Sequence, residues 1–258
     1  MQGGGAANWC DDVHGAGRPG AAGPGPALPP GVGVTGPRPA PRLLRSSRLS
    51  GLIAAAYDLG TGGMERRLFG ERRRRLLGVA RGEVLDVGGG TGANLPHLAP
   101  GQVARLVLLD PSPGMLARAR RRARELGVEA QLVRGRAEWL PFPDRSFDAV
   151  VFTLSLCTIG DPATALGEAR RVLRQGGRLL VLEHVRAADP RLAGWQDRLT
   201  PLWRRIGGGC HLNRDTRAAV EAAGFRFESA DEFLEERIPI PVLRPHLVGV
   251  AHRDDRSP

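Results

Sequence analysis

At 258 residues, with 41% hydrophobic and 25% charged side chains, the chain is long enough to bury the core of one soluble domain, and collagen-like or wholly disordered readings fail. Three cysteines (Cys10, Cys157, Cys210) without a Cys-x-x-Cys pair argue against a disulfide framework or a zinc site and fit a reducing compartment; no metal is expected. The net charge of +10 invites a nucleic-acid partner, but all 37 basic residues are arginine in a chain rich in Ala, Gly and Pro, as a GC-rich genome would encode, so the charge is read as solvated surface and nucleic acid is not expected.

Residues 1–41 hold 11 Gly and 8 Pro and almost no large apolar side chain, which predicts a disordered tail ahead of a single domain over 42–258. No basic start precedes an apolar run, and the longest aliphatic stretches, 106–109 and 179–182, fall far short of the roughly 20 residues a membrane span needs. A cytoplasmic protein is expected. Residues 42–81, basic with interspersed Leu, Ile and Phe, are the candidate for peripheral contact with an anionic inner membrane face.

From residue 43 onward short aliphatic runs alternate with helical stretches, without an internal repeat. Strands are predicted at 83–87, 105–109, 130–133, 148–152, 178–183, 226–230 and 247–251, and helices near 64–79, 113–125, 162–173 and 214–223. The Gly176-Gly177 pair and Gly224 are the expected helix stops. Alternation of this kind implies an α/β fold with a mostly parallel sheet and helices on both faces, and ligands bind such sheets beyond the carboxyl ends of the strands. Between the last two predicted helices, Trp195, Leu199, Leu202, Trp203 and Ile206 recur at helical spacing; they are read as core-facing, with a lid over a hydrophobic acceptor as the alternative.

The strongest chemical signal is Glu83-Val84-Leu85-Asp86-Val87-Gly88-Gly89-Gly90-Thr91-Gly92-Ala93-Asn94, an apolar strand entering a glycine-rich turn. Such bare backbone lets a ligand approach closely, and a following helix would offer free N–H donors. Gly88-x-Gly90-x-x-Ala93 also fits a dinucleotide fingerprint, and Asp110, 24 residues after Asp86, stands where a ribose-binding acid belongs. Asp86 weighs against a dinucleotide, because those sites usually have an apolar residue there; an acid could serve the cationic amino-acid end of S-adenosyl-L-methionine.

The run Gly135-Arg136-Ala137-Glu138-Trp139-Leu140-Pro141-Phe142 through Val150 resembles the third-to-fourth-strand motifs of class I S-adenosylmethionine-dependent methyltransferases. Arg171-Val172-Leu173-Arg174-Gln175-Gly176-Gly177-Arg178 resembles their approach to the fifth strand. The resemblance implies a Rossmann-like seven-stranded sheet with the last strand antiparallel, and S-adenosyl-L-methionine as the methyl donor. It also implies that Asp86, Gly88, Gly90 and Thr91 line the methionine and ribose end. Asp110 would take the ribose hydroxyls, with Pro111 and Met115 near the adenine and Ala137 and Glu138 at its edge. The chain departs from the pattern at Arg136, where an acid is common. Tyr57-Asp58 resembles the Tyr-Asp of the ubiquinone-biosynthesis-like group, in which the tyrosine closes over the cofactor.

A narrower resemblance, to the methyltransferase-like thiol methyltransferases and their bacterial relatives, rests on residues 153–158, Leu182-Glu183-His184-Val185, residues 209–216 and Pro245-His246-Leu247-Val248-Gly249. It implies a small or lipophilic acceptor, with a thiol favoured and a phospholipid or quinone precursor as alternatives. His184 and His211 are the candidate bases, each weighed against a structural role; for His211 that role is capping the helix near Arg214. Cys157 reads as a small core residue, and His246 as packing at the start of the last strand. A nicotinamide oxidoreductase would need a Tyr/Lys pair, and the chain has one tyrosine and no lysine. The non-enzyme rival binds the cofactor without turnover. No obligate protein partner is evident.

Overall fold

The computed structural model describes residues 63–98 and 101–254. The predicted tail, the 41/42 boundary and Tyr57 lie outside the described residues. Helix α1 (Gly63–Leu77) leads into strand β1 (Gly82–Val87), and a short 3-10 turn precedes β2 (Val103–Asp110). Then follow α2 (Pro113–Leu126), β3 (Gln131–Arg134), β4 (Phe147–Thr153), α3 (Pro162–Val172), β5 (Leu173–His184) and α4 (Pro190–Ile206). Helix α5 (Thr216–Ala222), β6 (Phe225–Leu234) and β7 (Pro245–Arg253) complete the chain.

The seven strands form one sheet in the order β3-β2-β1-β4-β5-β7-β6. The pairs from β3 to β5 are parallel, while β7 runs antiparallel to both neighbours. Parallel strands covered on both faces must be apolar in both directions, and the central segments LLVLEH of β5 and AVVFT of β4 are buried throughout. Alternation sorts the two sides: Leu85, Val87, Val107 and Leu109 share a core with Ala165, Leu166 and Ala169 of α3, whereas Leu108 packs with Leu116 and Ala119 of α2. The order reverses between β1 and β4, so the crevice beyond their carboxyl ends is the expected ligand site.

Four helices start on a side-chain cap: Ser112, Asp161, Asp189 and Asp215 each accept a backbone N–H from the first turn. Helix α2 stops on Gly127 in the left-handed conformation (φ 66°). Gly224 (φ 80°) follows α5 as expected. The Gly176-Gly177 pair does something else. Helix α3 ends at Val172 and the chain turns directly into β5, where Phe147 of β4 pairs with Leu173 and Ala149 with Arg178. The glycines lie inside the bulge that absorbs this register shift, Gly176 at φ 72°.

Helix α4 also corrects the sequence reading. Its buried residues are Ala193, Gln196 and Thr200, while Trp195, Leu199, Leu202 and Ile206 are exposed, Ile206 by 70%. Gln196 explains the inversion. Its amide donates to the carbonyls of Val185 and Val242 and accepts from the N–H of Ala187, so a polar residue seats the helix and its apolar stripe faces outward. Helix α1 behaves conventionally, with Leu68, Phe69, Leu76 and Leu77 buried. No helix among the described residues is long and apolar enough to cross a membrane.

Candidate active site

Asp86, next to last in β1, lies inside the protein. Its Oδ1 accepts from Asn94 Nδ2 at 2.9 Å, and Asn94 in turn bonds Thr153 Oγ1 at the end of β4 and takes Arg73 Nη1 on its own Oδ1 at 2.6 Å. Asp86 Oδ2 is buried without a hydrogen-bond partner. Burial pushes the carboxyl up to about 6, against the opposing pull of the Asn94 hydrogen bond and the Arg73 charge. Arg73 belongs to the basic stretch read as solvated surface, yet it is buried in this network.

Above Asp86 the turn depends on glycine. Gly88 has φ 69°, and a Cβ there would lie 2.7 Å from Ser155 Cβ; a Cβ on Gly89 would lie 2.8 Å from Asp86 Oδ2 and 2.5 Å from Leu108 Cγ. Asp110, at the end of β2, accepts Gly90 N–H at 3.1 Å and Ser112 N–H at 2.8 Å, tying the two strand ends together. Burial raises its pKa as well. A cleft of about 310 Å³ opens beside these groups, lined by Gly88, Asp110, Pro111, Ala137 and Glu138 among the expected cofactor residues, together with Arg136 and with Leu154, Ser155 and Thr158 of the loop after β4. Asp86 and Thr91 are buried, Gly90 and Met115 are half-buried, and none of the four lines the cleft. Arg136, the departure from pattern, pairs with Glu138 at 3.3 Å. A larger hollow of about 600 Å³ between α2 and β3 lies away from every strand carboxyl end of the switch point.

The far wall of the cleft is the loop after β4, and a residue of β5 shapes it. Glu183 is wholly buried; its carboxylate accepts the N–H groups of Ser155 (2.8 Å), Leu156 (2.8 Å) and Cys157 (3.2 Å). Burial raises its pKa to about 7 despite those three donors. The loop enters through Leu154 at φ 52°, a left-handed conformation costly for leucine, and the Glu183 bonds help to hold it. Sequence reading had placed Glu183 in a motif without giving it this task.

The two candidate bases stand behind the loop. His184 is buried, its Nε2 lies 3.0 Å from the Val242 carbonyl, and its Nδ1 has no partner. Because a carbonyl only accepts, Nε2 is the donor of this bond. His211 rests on the Cys157 carbonyl through Nδ1 (3.1 Å) and its own backbone N–H (2.8 Å); burial lowers its pKa. The helix cap near Arg214 is Asp215, so capping is not what His211 does. Neither histidine lines the cleft. His246 packs against Phe69 and Phe233 at the start of β7, as expected, and burial takes its pKa down to about 3.

Comparison with known proteins bears on this arrangement. A family model described as a methyltransferase domain matches residues 85–181. Human thiol S-methyltransferase TMT1B is 36% identical over 197 residues, covering 72% of this chain and 77% of the human protein. The chain belongs to the class I S-adenosylmethionine-dependent methyltransferases. The ubiquinone/menaquinone biosynthesis C-methyltransferase UbiE of Enterobacter is 39% identical over 140 residues, 51% of this chain and 55% of that protein. In fold, the YcgJ protein of Bacillus subtilis superposes with a TM-score of 0.58 at 20% identity, over 74% of this chain and all of that one.

The methyltransferase site has features suited to the donor such enzymes use. An orphaned buried carboxylate oxygen on Asp86 is an acceptor awaiting a cationic donor, and the sulfonium ligand carries an ammonium group. The bare backbone of Gly88 lines the cleft beside Asp110, whose oxygens each keep acceptor capacity for a ribose hydroxyl. Arg73 and Asn94 were missed as parts of this site. Arg73 stands four residues after Phe69 and three before Leu76, on the apolar face of α1, and that position was the available signal.

Proposed function

We propose that the protein transfers a methyl group from S-adenosyl-L-methionine to a small or lipophilic acceptor, with a thiol as the leading class. Bound S-adenosyl-L-methionine supplies an activated methyl on a sulfonium, open to in-line attack. Asp86 would hold the ammonium and Asp110 the ribose hydroxyls, while the Arg136–Glu138 pair would meet the adenine edge from the cleft wall. The loop fixed by Glu183 would exclude water and orient the acceptor; such alignment is worth about 7–11 kcal/mol of barrier.

The thiol reading is carried by the similarity to human thiol S-methyltransferase over most of both chains. Chemistry agrees with it. A small thiol, with an ordinary pKa of about 8.5, asks little of a base, and half-exposed His211 or buried His184 would suffice. A mass-spectrometric screen over thiols, phenols and phosphatidylethanolamine tests this. Methylated thiol is expected, and product on phenol or phospholipid alone would overturn the thiol assignment.

The exposed stripe on α4 supports the lipophilic side of the reading. Arg191, Arg198 and Arg205 recur every seven residues beside Trp195, Leu199, Leu202 and Ile206, an apolar face with a basic flank suited to an anionic lipid surface where lipophilic acceptors partition. Peripheral contact would then run through α4, since the described apolar residues of α1 are committed to the core.

A further inference from the structure

The loop after β4 and the turn after α4 meet at one point, and each brings a cysteine to it. His211 ties the turn to the loop through its two contacts with the Cys157 carbonyl, and Arg214 Nη1 donates to the carbonyl of Leu156. Held this way, the free thiols of Cys157 and Cys210 are neighbours across the bond from the His211 N–H to the Cys157 carbonyl, and each shifts the other's titration. Gly208 and Gly209, both at positive φ (65° and 93°), let the turn fold back onto the loop.

The two thiols have unlike surroundings. Cys157 is buried over the Glu183 carboxylate; its contact with Cys210 and its burial both push its pKa well up. Cys210 is half-buried and lies against the His184 ring and Trp203; the contacts with Cys157 and His184 bring its thiol down to about 5. A partly exposed thiolate beside a buried thiol is the arrangement of an attacking and a resolving cysteine. Methyl transfer as derived above uses neither.

We propose that Cys210 and Cys157 form an oxidisable dithiol that closes to a disulfide by exchange with a low-molecular-weight disulfide. The Cys210 thiolate attacks one sulfur of the small disulfide, forming a mixed disulfide as that S–S bond breaks and a thiolate leaves. Cys157 gives up its proton and attacks the Cys210 sulfur, expelling the second small thiolate. The protein loses two electrons and two protons, and the small disulfide becomes two thiols. In a reducing compartment such a bond is a transient, redox-sensing one. Closure would pin the loop whose Leu154, Ser155 and Thr158 line the cleft, so oxidation reports on the donor site. The exchange is independent of the methyl-transfer reading; only that last consequence rests on it.

The test treats the full chain with oxidised glutathione at neutral pH, traps remaining thiols with an alkylating reagent, and maps peptides by mass. The wild type is expected to yield a cross-linked Cys157–Cys210 peptide pair that dithiothreitol reopens. Cys157→Ser is expected to stop at a stable glutathione adduct on Cys210, and Cys210→Ser to leave Cys157 unmodified, each variant first checked for native circular dichroism. Wild type that keeps both thiols free where a control dithiol peptide is oxidised, or that ends as an adduct without the cross-link, overturns the proposal without touching the methyltransferase assignment.

Discussion

In the half of the sheet built on β1, β2 and β3, the groups that shape the site come from nearby in the chain. Asn94 reaches Asp86 across 8 residues, Gly90 reaches Asp110 across 20, and Ser112 reaches Asp110 across 2. In the half built on β4, β5 and β7, Glu183 reaches Ser155 across 28 residues, His211 reaches Cys157 across 54, and His184 reaches Val242 across 58. The first half is a motif in which strand, turn and acid are read in one line of sequence. The second is an assembly of distant segments, in which each residue's task depends on a partner that sequence spacing does not reveal.

The sharpest way to break this comparison is to remove one acid from each half. Asp86→Ala is expected to weaken S-adenosylmethionine binding by about 3–5 kcal/mol, roughly three orders of magnitude, with the melting temperature nearly unchanged, because it deletes the partner of a buried cation and only one internal bond. Glu183→Ala is expected to do the reverse. Three buried N–H groups lose their acceptor, at about 1–3 kcal/mol each, so thermal denaturation should register a loss of about 3 kcal/mol or more. If Asp86→Ala unfolds the protein while Glu183→Ala leaves stability intact, the division of labour is wrong.

A smaller effect sharpens the first half alone. The Asp86 carboxyl is neutral below its raised pKa of about 6 and charged above it, and only the charged form holds an ammonium. Donor affinity should therefore rise by about tenfold from pH 5 to pH 7 and level off above, and Asp86→Asn should abolish that slope. Smaller still is the expectation for the histidines. His211→Ala or His184→Ala should lower kcat several-fold with donor affinity unchanged, and unchanged turnover in both would remove them as bases.

What was legible in the sequence follows the same division. The grouping of Asp86, Gly88 and Asp110 at the strand ends was legible because a strand feeding a glycine turn fixes where the backbone goes. Most of the order of elements was visible because strand and helix periods differ, but the helix expected after the glycine turn is only a 3-10 turn at Leu95–His97. Arg73 was lost in a run of four arginines, although its place on the apolar face of α1 marked it. The face of α4 was misread because apolar spacing ordinarily marks the inward side, and here Gln196 and Thr200 take that side through hydrogen bonds to backbone and to the helix itself. The glycines at 176 and 177 read as a helix stop in sequence because a bulge inside a strand leaves the same local signature.

The central claim is that the crevice between β1 and β4 holds an adenosyl sulfonium by its two acids. Calorimetric titration of the full chain with S-adenosylmethionine, S-adenosylhomocysteine and NADH tests it most directly. The account predicts one site for each adenosyl ligand, none for NADH, and loss of both adenosyl ligands in Asp86→Ala and Asp110→Ala. Binding of NADH alone, or wild-type affinity for the adenosyl ligands in both variants, would contradict it.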